Sequence, residues 1–395
     1  MDPVRNPYEP NAGAMPPMLA GRDVLIDGFI AALGRIEAGK APRSVIPYGL
    51  RGVGKTVLLN YFEGSARQRG FFVAHIEVSD NGGFLYKLVA ELRRILISLD
   101  IGAKVNEAAK QAMRVLKSFV IKVNFAELSA ELGVDPARGE GDTGDLAVDL
   151  TSLLVAVGEA ARTQGTAVLI AIDELQYIDE REFEALIMAL HRVTQLALPV
   201  LAVAAGLPQV LAIAARSKTY AERLFDFRSI GALNEADARQ AIVTPARDQD
   251  VVFDDASIDR LYDCTQGYPY FVQVFAYAAW NAAPASPVTR EIIDGIEPIA
   301  LSGLDEGFFR SRYDKTTPGE RRYLRSMAEC GTGPYRSAEV AELIGQTING
   351  AGPNRDSLIR KGTIYSPEHG YVAFTVPLFD GFMRRIEPDF VRGRL

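Results

Sequence analysis

The chain has 395 residues, of which 48% are hydrophobic and 24% are charged, and its formal net charge is −7. This balance excludes an intrinsically disordered chain, and the length favours roughly two or three domains. The two cysteines, Cys264 and Cys330, lie far apart, and the three histidines form no cluster. The sequence therefore offers no Cys/His metal site and suits a reducing compartment.

The first 17 residues contain five prolines and lack the basic-then-apolar pattern of a signal peptide, which predicts an extended arm over residues 1–17. Residues 196–215 carry no charge, as a membrane span would. Pro199 and the Gly206-Leu207-Pro208 sequence divide this segment into a helix end, a buried strand and a new helix. We therefore expect no membrane contact and a cytoplasmic protein.

One segment matches the P-loop pattern G-x-x-x-x-G-K-[ST], and its residues are Gly49, Leu50, Arg51, Gly52, Val53, Gly54, Lys55 and Thr56. An apolar strand at 44–48 precedes it, and an amphipathic helix beginning at Lys55 follows and includes Val57. Glycines let backbone N–H groups close around phosphate oxygens, and the helix N-terminus adds partial positive charge. Lys55 would reach the β and γ phosphates and the Thr56 hydroxyl would bind Mg²⁺. A glycine-rich turn with a surface lysine is the alternative, which the flanking strand and helix disfavour.

A second apolar run, at 166–172, ends in Asp173 and Glu174. Asp173 would hold Mg²⁺ through its water shell, and Glu174 would orient and deprotonate the water that attacks ATP. Strands also end in acidic turns without a catalytic role, which is the alternative. Together with the P-loop, the acidic pair predicts an ATPase that uses ATP, ADP and Mg²⁺.

Apolar runs at 44–48, 71–78, 166–172, 199–205 and 226–230 alternate with helical segments. This alternation predicts a three-layer α/β domain over residues 18–230 around a parallel sheet. An insert occupies 79–165, with two helices and a hairpin-like pair of strands near 120–133. Residues 231–303 carry apolar residues at helical spacing and predict an all-helical domain, and residues 304–395 form a third domain.

Four features resemble the AAA+/STAND group of P-loop ATPases, which includes archaeal-type ATPases and origin-recognition initiators. They are the P-loop, the strand ending in Asp173-Glu174, Met18-Leu19-Ala20-Gly21-Arg22-Asp23, and Gly267-Tyr268-Pro269. The resemblance covers residues 16–303. It implies that Gly21 and Arg22 lie against the nucleotide and that Gly267 and Pro269 touch its adenine end. It also implies a sheet order of 5-1-4-3-2, with residues 231–303 as a lid.

The same resemblance bears on turnover and assembly. Such ATPases present a polar residue at the end of the strand that corresponds to 199–205. Here this end consists of Ala205-Gly206-Leu207-Pro208, and the first polar residue is Gln209. We therefore expect slow or partner-stimulated hydrolysis. Arg223 stands where the family often places an arginine that acts on a neighbouring subunit's ATP, which implies a homo-oligomer in the ATP-bound state. Arg216 and Lys218 are lesser candidates, and a surface arginine paired with Glu222 or Asp226 is the alternative.

The C-terminal residues differ in charge from the rest. Residues 310–395 hold 14 Lys/Arg and 10 Asp/Glu, whereas residues 1–309 hold 29 and 40. From 318 to 375 the pattern is helix, helix-turn-helix and hairpin, which predicts a winged helix. Its third helix, predicted at 353–361, would enter the DNA major groove. The residues that would contact double-stranded DNA are Asn354, Arg355, Arg360 and Lys361.

Two functions remain open at this stage. One is an ATPase that couples its nucleotide state to assembly and DNA binding through the winged helix. The other is a STAND-type signalling or defence switch that acts on a protein partner. In the second case the winged helix docks the partner or inhibits the ATPase core.

Overall fold

The computed structural model describes residues 1–11, 13–100, 107–123, 145–217, 221–331 and 333–390. The chain divides into two compact units. One unit joins Arg22–Gly49 to Lys55–Ile230, and the other joins Met1–Gly21, Leu50–Gly54 and Gly231–Leu395. The apex of the P-loop, Leu50–Gly54, thus belongs to the same unit as the C-terminal half of the chain.

A five-stranded parallel sheet forms the centre of the first unit. Its strands are β1 Ser44–Tyr48, β2 Phe72–Glu77, β3 Val168–Asp173, β4 Val200–Ala204 and β5 Phe225–Ser229. Their order is β2-β3-β4-β1-β5, which confirms the predicted order read from the other edge. Every residue of β3 and β4 is buried, because both faces of the sheet are covered and an apolar run replaces alternation.

Eight helices of this unit are described, and they are α1 Asp23–Glu37, α2 Lys55–Gln68, α3 Phe84–Asp100, α4 Glu107–Val123, α5 Leu146–Thr163, α6 Glu180–Gln195, α7 Val210–Ser217 and α8 Ala221–Leu224. Residues of α1 and α2 pack in one apolar cluster with the sheet. Residues of α3 to α6 pack in a second cluster with alternate sheet residues. The two clusters give the three layers that the sequence predicts.

The predicted hairpin near 120–133 is wrong in its first part, because residues up to Val123 belong to α4. Ala109, Ala112, Leu116 and Phe119 are buried at spacings of three or four residues, so this segment follows the period of a helix. Residues 124–133 lie outside the described residues.

Four helices fill residues 231–303, as predicted, and they are α9 Glu235–Arg247, α10 Asp255–Thr265, α11 Pro269–Ala282 and α12 Arg290–Gly303. Side chains cap two of them: Asn234 accepts a hydrogen bond from the Asp237 N–H, and Asp254 accepts one from the Ser257 N–H. Pro269 occupies the first position of α11, where a missing N–H is tolerated. These are the start signals that made the helices predictable.

The C-terminal domain combines helices with a small antiparallel sheet of order β6-β8-β7. Its elements are the π-helical turn Leu304–Phe309, α13 Arg310–Tyr313, α14 Pro318–Glu329, β6 Tyr335–Arg336, α15 Ser337–Ile344, α16 Ile348–Arg360, β7 Ile364–Tyr365, β8 Tyr371–Phe374 and α17 Phe379–Ile386. The third helix of the predicted pattern starts at Ile348, before the predicted 353, because Thr347 caps it by accepting the Gly350 N–H. Pro353 therefore lies inside α16.

The N-terminal residues pack on the helical domain. The Tyr8 hydroxyl donates to the Ile242 carbonyl at 2.5 Å, and the Trp280 indole N–H donates to the Asp2 carbonyl at 2.9 Å. Tyr8 is only 1% exposed. Within the parts of the chain that the structure describes, no helix has both the length and the apolar content needed to cross a membrane.

Candidate nucleotide site

The hydroxyl of Thr56 lies beside the carboxylate of Asp173. Thr56 Oγ1 donates a hydrogen bond to Asp173 Oδ2 at 2.7 Å, which joins the start of α2 to the end of β3. Both Lys55 and Asp173 are buried, at 7% and 5% exposure. Desolvation raises the pKa of Asp173, whereas hydrogen bonds from Thr56 and from the Glu174 N–H lower it. The fold thus brings together the hydroxyl, carboxylate and ammonium that the sequence predicts for a magnesium–phosphate site.

Glu174 has an uncommon backbone conformation, with a φ of 54°. Such a left-handed conformation is strained in a residue other than glycine and often marks a functional position. The Glu174 N–H donates to Asp173 Oδ1 at 2.8 Å. This bond fixes the direction in which the chain leaves β3.

Gln176 is a residue of this site that our sequence reasoning missed. Its side-chain N–H donates to the carboxylate of Glu174, and its side-chain oxygen accepts the Leu207 N–H at 2.9 Å. The amide therefore joins Glu174 to the chain just beyond β4. Two features of the sequence could have indicated this residue. Gln176 is a polar residue two positions after Glu174, and the next strand along the chain ends without a polar residue of its own.

The P-loop begins at the end of β1 and is fixed to the neighbouring strand. The Gly49 N–H donates to the Gly206 carbonyl at 3.1 Å, and the Gly206 N–H donates to the Pro47 carbonyl at 3.3 Å. Close by in sequence, the side-chain oxygen of Gln209 is buried and has no hydrogen-bond partner in the described residues. An amide oxygen only accepts hydrogen bonds, so a water of the magnesium shell would satisfy it, whereas a phosphate oxygen would not. These residues fit a magnesium–nucleotide complex.

The apex of the P-loop is held within the C-terminal unit by two backbone hydrogen bonds and one side-chain hydrogen bond. The Arg51 N–H donates to the Thr375 carbonyl at 3.3 Å, and Arg51 Nε donates to the Gly362 carbonyl at 3.4 Å. The Gly52 carbonyl accepts the Tyr270 N–H at 3.3 Å. The apex therefore bonds both to the start of α11 and to the segments beside the small antiparallel sheet.

Gly52 fits this place because it lacks a side chain. Its φ is 82°, and a Cβ atom there would lie 2.9 Å from Tyr268 Cε1. The Tyr268 hydroxyl is buried without a hydrogen-bond partner in the described residues, and desolvation raises its pKa. The ring of Phe308 also lies near this point, 3.8 Å from the same Cβ position.

The other predicted family residues occupy tight turns. A Cβ on Gly21 would lie 2.5 Å from Asp237 Oδ2, and one on Gly267 would lie 2.1 Å from the Leu233 carbonyl. Both glycines also have positive φ angles, so only glycine fits either position. The Arg22 carbonyl accepts the Leu25 N–H at 3.0 Å in the first turn of α1. Pro269 begins α11, directly before Tyr270.

The predicted arginine and lysine residues have different surroundings. Arg223 is exposed at the end of α8, directly before β5. Arg216 forms an ion pair with Glu180 at 3.7 Å, and Lys218 lies outside the described residues. Asp226, which the sequence offers as a partner for Arg223, instead accepts a hydrogen bond from Arg228 at 2.8 Å.

Two of the four predicted DNA contacts form ion pairs within the C-terminal domain. Lys361 Nζ lies 2.7 Å from the buried Glu320 carboxylate. Arg355 pairs with its neighbour Asp356 at 3.0 Å. Arg360 is exposed.

Comparison with known families assigns the N-terminal part of the chain. Residues 18–203 match the family model described as "AAA ATPase domain". Residues 306–383 match a second model, described as "Domain of unknown function (DUF8462)". This chain therefore contains an AAA ATPase domain, the class that the P-loop and the acidic pair predict. Comparison with curated proteins gives no match.

Three solved structures are similar to this chain at low sequence identity. A Walker-type ATPase of Pyrococcus abyssi is 13% identical, with a TM-score of 0.52, over 93% of this chain and 96% of that chain. The Orc1 protein of Aeropyrum pernix, solved in complex with DNA, is 14% identical, with a TM-score of 0.47, over 94% of each chain. Cdc6p of Pyrobaculum aerophilum is 12% identical, with a TM-score of 0.46, over 99% of each chain. The first likeness concerns the fold alone, and the other two are too distant to support an inference about function.

Proposed function

We propose that this protein is an ATP-hydrolysing switch whose nucleotide state is coupled to its C-terminal domain. The observation that supports this proposal most directly is the set of contacts at the P-loop apex. Arg51 and Gly52 are bonded through Thr375, Gly362 and Tyr270. The P-loop apex, which would close around phosphate oxygens, thus forms hydrogen bonds with residues of the C-terminal unit.

The residues of the site support hydrolysis of ATP to ADP and phosphate. Bound Mg²⁺ would neutralise charge on the phosphate oxygens. Lys55 would contact the phosphates, and the Thr56 hydroxyl and the Asp173 carboxylate would hold the cation with its water shell. Glu174 would accept a proton from the attacking water. The bond from Gln176 engages one oxygen of the Glu174 carboxylate and restrains its side chain. A restraint on the movement of Glu174 towards the attacking water favours slow turnover in the resting state.

Coupling follows from the shared backbone groups. A P-loop binds phosphate through its own N–H groups, so its conformation changes the affinity for nucleotide. Contacts of the apex with Thr375 and Tyr270 favour one conformation. If bound nucleotide favours a different conformation of the apex, nucleotide binding weakens these contacts with the C-terminal domain. Breaking the contacts then raises the affinity for nucleotide by the same factor.

This proposal is tested by replacing side chains that contact the apex, because such substitutions leave the backbone that would bind phosphate in place. Arg51→Ala deletes the bond to Gly362, and Phe308→Ala deletes a ring that packs beside Gly52 and stacks on Tyr270 at 4.8 Å. Because one such hydrogen bond contributes about 1 kcal/mol, we expect ATP turnover or affinity to rise about fivefold. Arg310→Ala, which removes an exposed arginine paired with Asp314, is the control. If Arg51→Ala and Phe308→Ala both keep the wild-type affinity and turnover, as the control should, the coupling proposal is wrong.

DNA binding is a second candidate function. Two observations favour it: residues 310–395 hold 14 basic and 10 acidic residues, and Arg360 is exposed on α16. The internal contacts of Lys361 and Arg355 speak against a large DNA-binding surface on this helix. The alternative partner is a protein, as in a STAND-type switch. Binding of duplex DNA by the full-length protein with ATP separates the two.

A further inference from the structure

A groove of about 350 Å³ lies between α1 and the edge of the central sheet. Its floor is apolar and includes the buried residues Phe29, Ala32 and Val45. Val24 also lines it and is 79% exposed, an unusual position for a large apolar side chain. The whole groove is built from residues of the first unit, and none of them belongs to the nucleotide site.

The rim of the groove is positively charged. Arg35, Arg43 and Arg228 line it with one acidic residue, Asp226, which accepts the hydrogen bond from Arg228. Arg35 and Arg43 are exposed, and within the described part of the chain their side chains form no hydrogen bond or ion pair. Residues 1–309 hold 29 basic and 40 acidic residues, so the rim of this groove is opposite in sign to the net charge of that part of the chain. The groove is therefore suited to a negatively charged ligand with an apolar part.

The strand beside the groove has an open edge. In the described sheet β5 is the last strand, and it pairs with β1 alone. The Ile230 N–H donates to the Tyr48 carbonyl at 2.8 Å. Because neighbouring residues of a strand direct their main-chain groups to opposite sides, those of Phe227 and Ser229 point away from β1. Asp226 and Arg228 meanwhile direct their side chains to the groove.

We propose that this groove binds an extended acidic segment of a partner protein, which adds to the edge of β5. Strand addition supplies main-chain hydrogen bonds, and alternate side chains of the added strand face the groove. An apolar side chain would cover the floor, and carboxylates on either side of it would bind Arg35 and Arg43. Guanidinium groups bind carboxylates in a two-point geometry, which gives this contact specificity. A free anion would use the arginines but not the strand edge.

A designed peptide provides the probe. In the blocked sequence Ser-Glu-Thr-Val-Thr-Glu-Ser, the two glutamates and the valine share one face of a strand. We expect its fluorescein-labelled form to bind the full-length protein with a saturable rise in anisotropy. Replacing both glutamates of the peptide with lysine should abolish binding. The Arg35→Glu, Arg43→Glu double variant should weaken binding at least about tenfold, because each charge-assisted bond is worth more than one neutral bond.

Two matched variants of the protein separate this mode of binding from general charge attraction. Ser229→Pro removes an outward N–H without touching the bonds to β1 and should weaken binding several-fold, whereas Ser229→Ala should not. Arg114→Glu with Arg181→Glu changes the net charge equally outside the groove and should have little effect. Thermal unfolding of each variant, followed by circular dichroism, confirms folding.

Several results would overturn the proposal. The first is no binding of the acidic peptide at low salt, and the second is equal binding by every variant. Displacement by inorganic phosphate together with equal binding by Ser229→Pro would indicate an anion site instead. If Arg35→Glu with Arg43→Glu dissociates an oligomer in sedimentation velocity, the occupant is a second copy of this chain and the proposed partner is wrong.

Discussion

The side-chain amide of Gln176 donates a hydrogen bond to the carboxylate of Glu174. The other end of the same amide accepts the Leu207 N–H at 2.9 Å, beyond the end of β4. One side chain thus links the proposed catalytic base to the strand whose end carries no polar residue of its own. The link engages one of the two carboxylate oxygens of Glu174 and restrains the position of that side chain.

Gln176→Leu should raise basal ATP turnover by roughly tenfold. A hydrogen bond to a charged group contributes about 1.5 kcal/mol or more, and this bond opposes movement of Glu174 towards the attacking water. Steady-state phosphate release measures the change. Gln195→Leu, the same substitution at an exposed position of α6, is the control. Slower turnover at unchanged ATP affinity would mean instead that the amide orients Glu174 productively.

Lys55→Ala should lower ATP affinity by about ten- to a hundredfold. The buried ammonium group is expected to form charge-assisted bonds to phosphate oxygens, and each contributes roughly 1.5–3 kcal/mol. Isothermal titration calorimetry with Mg²⁺ and a slowly hydrolysed ATP analogue measures this affinity. An unchanged dissociation constant would refute the nucleotide site at the P-loop.

Lys361→Met should destabilise the protein by about 1–3 kcal/mol near neutral pH, because it leaves the buried Glu320 carboxylate without its cation. Burial raises the pKa of Glu320, but hydrogen bonds from Lys361, Ser357 and the Thr317 N–H outweigh it and leave the pKa at about 2, below the ordinary 4.5. The contribution of this ionised group is therefore complete above pH 4.5 and is lost as the pH falls towards 2.

Thermal unfolding of wild type and variant, at neutral pH and at two values below pH 4.5, checks this prediction. The difference between them should narrow as the pH falls. Lys315→Met, at an exposed position of the same domain, is the control. A difference that stays constant with pH would show that the pair is not the cause.

If the C-terminal domain binds duplex DNA, Arg360 should contribute more than its neighbours. Arg360→Ala should weaken binding by ATP-loaded protein and reduce the slope of affinity against salt by about one, because one phosphate contact is lost. Arg310→Ala, outside residues 318–375, is the matched control. An electrophoretic mobility assay over a range of salt concentrations gives both values. Failure of the wild type to bind DNA at low salt would leave the protein-directed switch as the better hypothesis.

Arg223 is predicted to act on the ATP of a neighbouring subunit. Arg223→Ala and Glu174→Gln should each abolish most of the turnover, and mixing the two proteins should restore part of it. Some mixed interfaces would then contain an intact Arg223 and an intact Glu174. Phosphate release at several mixing ratios tests this. No recovery between folded, oligomeric variants would assign Arg223 to the surface of a single subunit.

The sheet was predictable because its strands are apolar runs bounded by turns. β1 has the predicted bounds, and β3 starts two residues later than predicted and ends at Asp173. The proximity of Thr56 and Asp173 was predictable for the same reason, since Asp173 ends β3, Thr56 follows β1, and the carboxyl ends of parallel strands share one edge of a sheet. The order of the strands came from the family resemblance, because hydrophobic pattern alone does not order parallel strands.

What the sequence did not predict depends on contacts between distant residues. The partner of Lys361 is Glu320, 41 residues earlier in the chain, so an exposed basic residue on a DNA-binding helix was the natural expectation. The bonds from Arg51 to Thr375 and Gly362 join segments more than 300 residues apart and end on backbone carbonyls, which no side-chain pattern reveals. The first part of the predicted hairpin became part of α4 because its apolar spacing suits a helix as well as a strand.

The chain contains a single tryptophan, Trp280, and it lies beneath the N-terminal arm. Its indole ring is 2% exposed, its N–H is bonded to the Asp2 carbonyl, and the Tyr8 ring lies edge-on at 6.5 Å. Intrinsic fluorescence therefore reports on one place in the molecule without any label. Undocking of the arm would hydrate the indole and move its emission to longer wavelength. The same fluorescence measurement would show whether nucleotide changes the surroundings of Trp280, even in a variant that no longer hydrolyses ATP.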